Sequence, residues 1–203
     1  MVEAHEVGDT IAEAAHPAHG DERFRRLAAV FLGVLGMLLA IASLGGEHAV
    51  KESMNANILA SDTYAFYQAR NERQTAFQLA ADALEALLAT QPGLPAAARQ
   101  SLDRRIADYR ATVKRYESDP ATGSGKKELL AKAQGFEAAR DFAQRRDLNF
   151  DYGRALFQIA IVLGSVSIVA ANRPLLWLCA LLAVVAGLLT VNGFFLLVEL
   201  HQG

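Results

Sequence analysis

The sequence predicts an all-α integral membrane protein with three transmembrane helices and a long antiparallel helical hairpin, coiled-coil-like, between the first and second spans. Three observations predict it. Residues 27–44, 155–171 and 175–198 contain no Asp, Glu, Lys, Arg or His. At about 1.5 Å of rise per residue these runs measure about 27, 26 and 36 Å as helices, against a hydrocarbon core of about 30 Å. The polar stretch between the first two runs holds long segments without Pro or Gly, and its apolar residues recur at spacings of three and four, the period of a helix face.

Composition narrows the function classes. The chain has 203 residues and a formal net charge of −2, and basic and acidic residues nearly cancel between Glu47 and Arg154. Nucleic-acid binding needs a concentrated basic face, so no nucleic-acid partner is expected. Cys179 is the single cysteine and lies in the third apolar run, which leaves neither a disulfide within the chain nor a cysteine-rich zinc site. No cofactor is expected.

The elements follow in order. Residues 1–22 have few large apolar side chains, too few to offset the entropy of ordering them, and are predicted to be a flexible acidic tail. His5, His16 and His19 invite a metal reading, but Pro17 disrupts a regular helical His-x-x-His face, and a solvated tail is expected. Residues 23–46 form the first span. Ala40-Ile41-Ala42 resembles a signal-peptidase site, yet the apolar core exceeds the roughly 7 to 15 residues of a signal peptide, so a retained anchor is expected. Gly45-Gly46 closes the span.

The hairpin occupies residues 47–154. Residues 47–90 lack Pro and Gly and are predicted to form one helix of about 66 Å, with Phe77, Ala81, Leu84 and Leu88 as a seam. Gln91-Pro92-Gly93-Leu94-Pro95 turns the chain. A second helix, residues 96–117, carries Leu102, Ile106, Tyr109, Val113 and Tyr116 at matching spacing, so that folding about Gly93 brings Phe77 near Tyr109. Residues 119–125 break the return, and a third helix spans residues 126–150. The outgoing helix and the two returning pieces have almost equal summed lengths, which makes the break an offset within one descending limb. Val50, Met54 and Ile58 are then expected to face Leu129, Leu130, Ala133 and Phe136. Residues 155–171 and 175–198 are the second and third spans, and residues 199–203 a short tail.

Arg23, Arg25, Arg26 and Arg173 lie on one side of the spans; Lys51, Arg140, Arg145, Arg146 and Arg154 lie on the other. Long loops translocate largely regardless of charge and the first helix usually dominates. A cytoplasmic N-terminus and an extracytoplasmic hairpin are expected.

Gly123-Ser124-Gly125-Lys126-Lys127 superficially resembles a phosphate-binding loop. A Walker motif needs a Gly at the position held by Pro120 and a Ser or Thr at that held by Lys127, after a strand, so the match fails. Ser43, Gln158, Thr190 and Asn192 are the candidate intramembrane polar contacts, with Gln158 expected to meet Thr190 or Asn192. Arg145, Arg146, Phe150, Tyr152 and Arg154 are candidate lipid-interface anchors. Tyr64, Tyr67, Gln68 and Arg70, with Leu102, Ile106, Tyr109 and Val113, are candidate oligomer or partner contacts. No cluster of His, Cys, Asp or Glu has catalytic spacing.

Ala42-Ser43-Leu44-Gly45-Gly46, the stretch Tyr64-Ala65-Phe66-Tyr67-Gln68-Ala69-Arg70, Leu156-Phe157-Gln158-Ile159-Ala160-Ile161-Val162-Leu163 and the ending Asn192-Gly193-Phe194-Phe195 resemble the bacterial domain-of-unknown-function family 4337. The resemblance covers the chain from about Leu27 onward. It implies a bacterial membrane protein with three spans and a helical middle, and it brings no activity and no catalytic residue. The expected function is a non-enzymatic scaffold or accessory subunit in the bacterial inner membrane, which self-associates or docks a membrane or extracytoplasmic protein through its hairpin. The alternative is a small channel or transporter component with a polar path along spans two and three.

Overall fold

The computed structural model describes residues 19–170 and 172–198, with side chains from residue 22 onward. Most of the expected acidic tail and the short C-terminal tail lie outside the described residues. Among the described residues four helices follow in order: α1, His19–Thr90; α2, Ala96–Glu117; α3, Lys126–Val169; and α4, Arg173–Phe195. The described residues contain no strand. Three of these described helices, α1, α3 and α4, are long and apolar enough to cross a membrane.

Two boundaries differ from the sequence expectation. Gly45-Gly46 does not close a helix: α1 runs through it for 72 residues. Nor is there a break between the expected hairpin helix and the second span, since α3 is continuous over 44 residues. Glycine inside a helix costs about 1 kcal/mol relative to alanine. Here its missing side chain has a use. The fully buried Phe150 ring lies where a Cβ at Gly45 would be and 2.9 Å from one at Gly193 of α4, and the Phe150 Cβ lies 3.3 Å from a Cβ at Gly46. Three glycines form the socket for one aromatic side chain, and its burial offsets their helix cost.

The buried face of α1 has a strict period. Ala28, Leu35, Ala42, Ala49 and Ala56 are buried seven residues apart, and Thr63 continues the series. Ala60, Gln74 and Ala81 fill the intermediate positions, giving the spacing of three and four that a single partner stripe requires.

The chain divides into two compact units, one from the described residues up to Val50 with those from Ala143 onward, the other Lys51–Phe142. In the first, Leu35, Ala42, Phe157, Ala160, Cys179, Ala183 and Ala186 form the core. Small residues there let helix backbones approach closely. A Cβ at Gly153 would stand 2.8 Å from Thr190 Oγ1, and one at Gly164 would overlap Leu32 and stand 3.2 Å from Cys179 Sγ. Asn172 caps α4 by accepting the Leu175 N–H at 3.3 Å, with Pro174 in the first turn, where its missing N–H costs nothing.

In the second unit, the later part of α1 packs against α2 and the start of α3. Phe77 meets Tyr109 edge-on at 5.4 Å and Tyr116 at 5.8 Å. Moving back along α1, Gln74 reaches Val113 and Glu117, Asn71 reaches Lys126, and Tyr64 lies beside Glu137. Partner numbers rise as α1 numbers fall, so α2 and the start of α3 form one antiparallel return limb, offset over residues 118–125. Val50, Met54 and Ile58 do not form the contact face expected of them. Met54 and Ile58 are 62% and 56% exposed, and Val50 and Leu130 are also exposed, whereas Ala56, Ala60, Thr63 and Ala133 are buried. The seven-residue phase turns the larger side chains outward.

Alanine substitution separates socket glycines from merely permitted ones. Gly45→Ala and Gly164→Ala are expected to lower stability by about 1–3 kcal/mol through overpacking. A Cβ at Gly33 or Gly36 meets nothing within 4 Å, so Gly33→Ala and Gly36→Ala are expected to be neutral or stabilising by up to about 1 kcal/mol. Thermal unfolding of the four purified variants checks this ordering.

Candidate functional site

Each unit holds a cluster of polar side chains that joins its own helices. In the first unit the cluster joins α3 to the end of α4. Asn192 Nδ2 donates to Asn149 Oδ1 at 2.8 Å and to the Val198 carbonyl at 2.8 Å. Its Oδ1 accepts the Val198 N–H at 2.8 Å. Asn149, almost fully buried, donates to the Arg145 carbonyl at 2.9 Å. Arg146 Nε donates to the Gly193 carbonyl at 3.1 Å. The last carbonyls of a helix lack intrahelical partners and carry partial negative charge, so a guanidinium there answers both needs. Phe150 closes the cluster, edge-on to Phe194 at 4.9 Å.

This arrangement redistributes the residues singled out in the sequence. Asn192 pairs with Asn149, which residue type alone did not distinguish, rather than with Gln158. Gln158 is exposed beside Ile159, Val162 and Leu163. Thr190 returns its hydroxyl to the Ala186 carbonyl at 2.9 Å, and Ser43 is half-buried. Phe150, expected at a headgroup boundary, is fully buried because the glycine socket takes its whole ring. Tyr152 is exposed, Arg154 pairs with Asp151, and Arg145 is half-buried. Asp147 was not anticipated. Its Oδ1 is buried without a hydrogen bond, and burial, then the charge of Asp151, push its carboxyl above the usual range against the pull of Arg154.

In the second unit the cluster surrounds the offset in the return limb. Lys126 Nζ donates to Asn71 Oδ1 at 3.0 Å, pairs with Glu117 at 3.3 Å and lies 5.8 Å from the centre of the Tyr67 ring. Glu117 also accepts from Gln74 Nε2 at 3.1 Å. The Gln74 bond, then Lys126, hold its carboxyl below the usual range. Glu128 accepts from Ser118 Oγ at 2.6 Å and from the Asp119 N–H at 3.0 Å, and these two bonds lower its pKa in that order. The chain turns through Gly123 at φ +65°, a left-handed conformation that glycine adopts without steric cost. Arg70 Nη2 donates to Ser124 Oγ at 2.9 Å and its guanidinium lies 4.7 Å over the Tyr116 ring.

Most of the expected association residues are therefore engaged within the chain. Tyr67, Arg70, Tyr109 and Val113 have the partners just given. Burial, then a hydrogen bond to Glu137, raises the pKa of Tyr64. Leu102 and Ile106 are half-buried, and Gln68 is exposed. Among the described residues no group of three or more His, Cys, Asp or Glu side chains gathers to hold a metal ion.

A family model described as a domain of unknown function, DUF4337, matches residues 24–196. No curated protein and no solved structure matches the chain.

The two clusters give different expectations. Asn192→Leu leaves the buried Asn149 oxygen unpaired and is expected to cost about 1–3 kcal/mol, whereas the Asn149→Leu, Asn192→Leu double variant recovers much of the loss, since removing both partners is nearly neutral. Unfolding midpoints of both variants check this. The lowered pKa values of Glu117 and Glu128 mean that their stabilisation is full above the ordinary carboxylate pKa of 4.5 and is lost as pH falls through the lower folded values. Amide exchange at residues 117–130, corrected for intrinsic rate, is expected to quicken below that range, and Glu128→Gln is expected to flatten the dependence.

Proposed function

The chain belongs to the DUF4337 family, and we propose that it is a bacterial inner-membrane protein with three spans whose helical hairpin self-associates, serving as a non-enzymatic scaffold or accessory subunit. Support for the membrane comes from the distribution of exposed side chains. In the apolar stretches, Leu27, Met37, Trp177, Leu181 and Leu188 are 62–78% exposed while most buried positions are alanines and glycines around a few larger side chains such as Leu35 and Phe157. A water-facing monomer rarely carries so large an apolar surface. Lipid accepts it, and small interior residues are how helices pack without a hydrophobic drive between them.

The observation that carries self-association is the imbalance within the hairpin. α2 has no buried residue, while Met54, Ile58, Phe66 and Leu79 of the facing helix are 56–66% exposed. One hairpin buries a single stripe, and a second copy would cover these side chains. Gln158 adds support from the spans. An amide facing hydrocarbon gains from an interhelical partner by about 0.6 to 2 kcal/mol, and on an outward face that partner comes from another chain.

Ile58→Glu with Leu79→Glu tests the reading, because both side chains are exposed and the hairpin seam is left intact. The purified wild-type chain is expected to run as an oligomer in light scattering at membrane-like concentration, and the double variant to dissociate at least about tenfold more readily. A wild-type monomer at that concentration would contradict the proposal.

A further inference from the structure

The offset in the return limb leaves a groove of about 450 Å³, within the range of small-molecule sites. Phe66, Ala69 and Leu129 supply its apolar wall, while Arg70 and Arg73 supply its charge and Ser124 a hydroxyl. No carboxylate lines it. Arg70 and Arg73 are three apart on α1, which makes them neighbours on one helix face.

The hydrogen bonds around the groove fix the orientation of Arg70 at its edge. Asp119 accepts from the Thr122 hydroxyl at 2.7 Å, so the contact of that hydroxyl with Ser124 at 2.7 Å must use the Ser124 proton. Ser124 then accepts from Arg70. The relay runs Arg70, Ser124, Thr122, Asp119 with every donor pointing toward the carboxylate, and stacking on Tyr116 holds the Arg70 plane. The remaining carboxylates nearby are committed elsewhere: Glu117 to Gln74 and Lys126, Glu128 to Ser118 and the Asp119 N–H. Arg73 is exposed and forms no ion pair among the described residues.

We propose that this groove binds the phosphate group of a small phosphorylated compound, held by Arg70 and Arg73, with the compound's apolar part against Phe66, Ala69 and Leu129. Guanidinium forks match a phosphate in two-point geometry. The arrangement owes nothing to a Walker loop: the charge comes from the face of α1, across the offset. Either a phospholipid or a soluble phosphate ester carries this chemistry. The groove shares Phe66 with the surface proposed for self-association but does not rest on that reading, and binding is read on the wild-type full chain and on the Ile58→Glu, Leu79→Glu variant, so that a covered groove and an absent site are distinguished.

The test is calorimetric titration of the full-length protein in dodecyl maltoside, a phosphate-free detergent, with phenyl phosphate and with dihexanoyl phosphatidic acid as probes. Saturable binding is expected, with the tighter probe identifying a soluble or a lipid source. Arg73→Gln, at an exposed position, is expected to weaken binding about tenfold. Arg73→Lys, which keeps charge but loses the fork, is expected to fall between. Arg99→Gln on α2 is expected to change nothing. Failure of both probes to saturate below about 10 mM, or binding that Arg73→Gln leaves unchanged, would overturn the proposal.

Discussion

The structure depends on one constraint, the seven-residue period of the buried face of α1. From Ala28 through Leu35, Ala42, Ala49 and Ala56 to Thr63, every seventh residue is buried, and Gln74 and Ala81 extend the intermediate series. A straight α-helix has 3.6 residues per turn, so such a stripe drifts by about 20° per heptad and suits partners that follow it. Most residues along it are small. Little apolar area is buried per position, and the benefit comes from close backbone approach. A kink at Gly45-Gly46 would throw the two halves out of phase, so the glycines have to remain helical, and Phe150 fills the room they leave.

Along this single period the character of the packing changes. Among residues 28–49 the buried positions are Ala, Leu and Gly, and large apolar side chains point outward. Beyond them, polar side chains enter or flank the stripe, and each has a stated partner: Thr63 returns its hydroxyl to the Leu59 carbonyl, and Gln74 spans Val113 and Glu117. Buried polar groups are costly unless hydrogen-bonded, so these side chains narrow the register of the return limb more than apolar ones would. The offset at residues 118–125 follows from the same logic. Glu128 and Lys126 gather the donors and acceptors left by the end of α2, and the groove beside Arg70 is the space that remains.

What was legible in the sequence followed from residue type and local spacing. The bounds of α2 and the start of α3 are set by Pro92, Gly93 and Pro95 and by the Pro120-to-Gly125 break, and Phe77 meets Tyr109 because their spacings match about the turn. What was missed depended on which way a face points. Met54 and Ile58 are large and apolar, which marks them for a contact face, yet alanines hold the phase. The basic neighbours of Phe150 mark it as an interface anchor, whereas its socket is made by Gly45, Gly46 and Gly193, distant in sequence. Asn149, beside Arg145 and Arg146, has the sequence setting of ordinary surface, and only its partner on α4 distinguishes it. Partition into lipid or water can be read from composition; rotation about a helix axis needs the partner.

The central claim is that one uninterrupted helix carries a single buried stripe from an apolar to a polar setting. Spin labels placed singly along α1 from residue 27 to residue 88 in lipid nanodiscs, with accessibility to oxygen and to a water-soluble nickel chelate, test it most directly. The account predicts one 3.5-residue accessibility period in unbroken phase through Gly45-Gly46, with outward positions open to oxygen among residues 27–44 and to nickel beyond them. A phase break at the glycine pair, or nickel access to outward positions among residues 27–44, would contradict it.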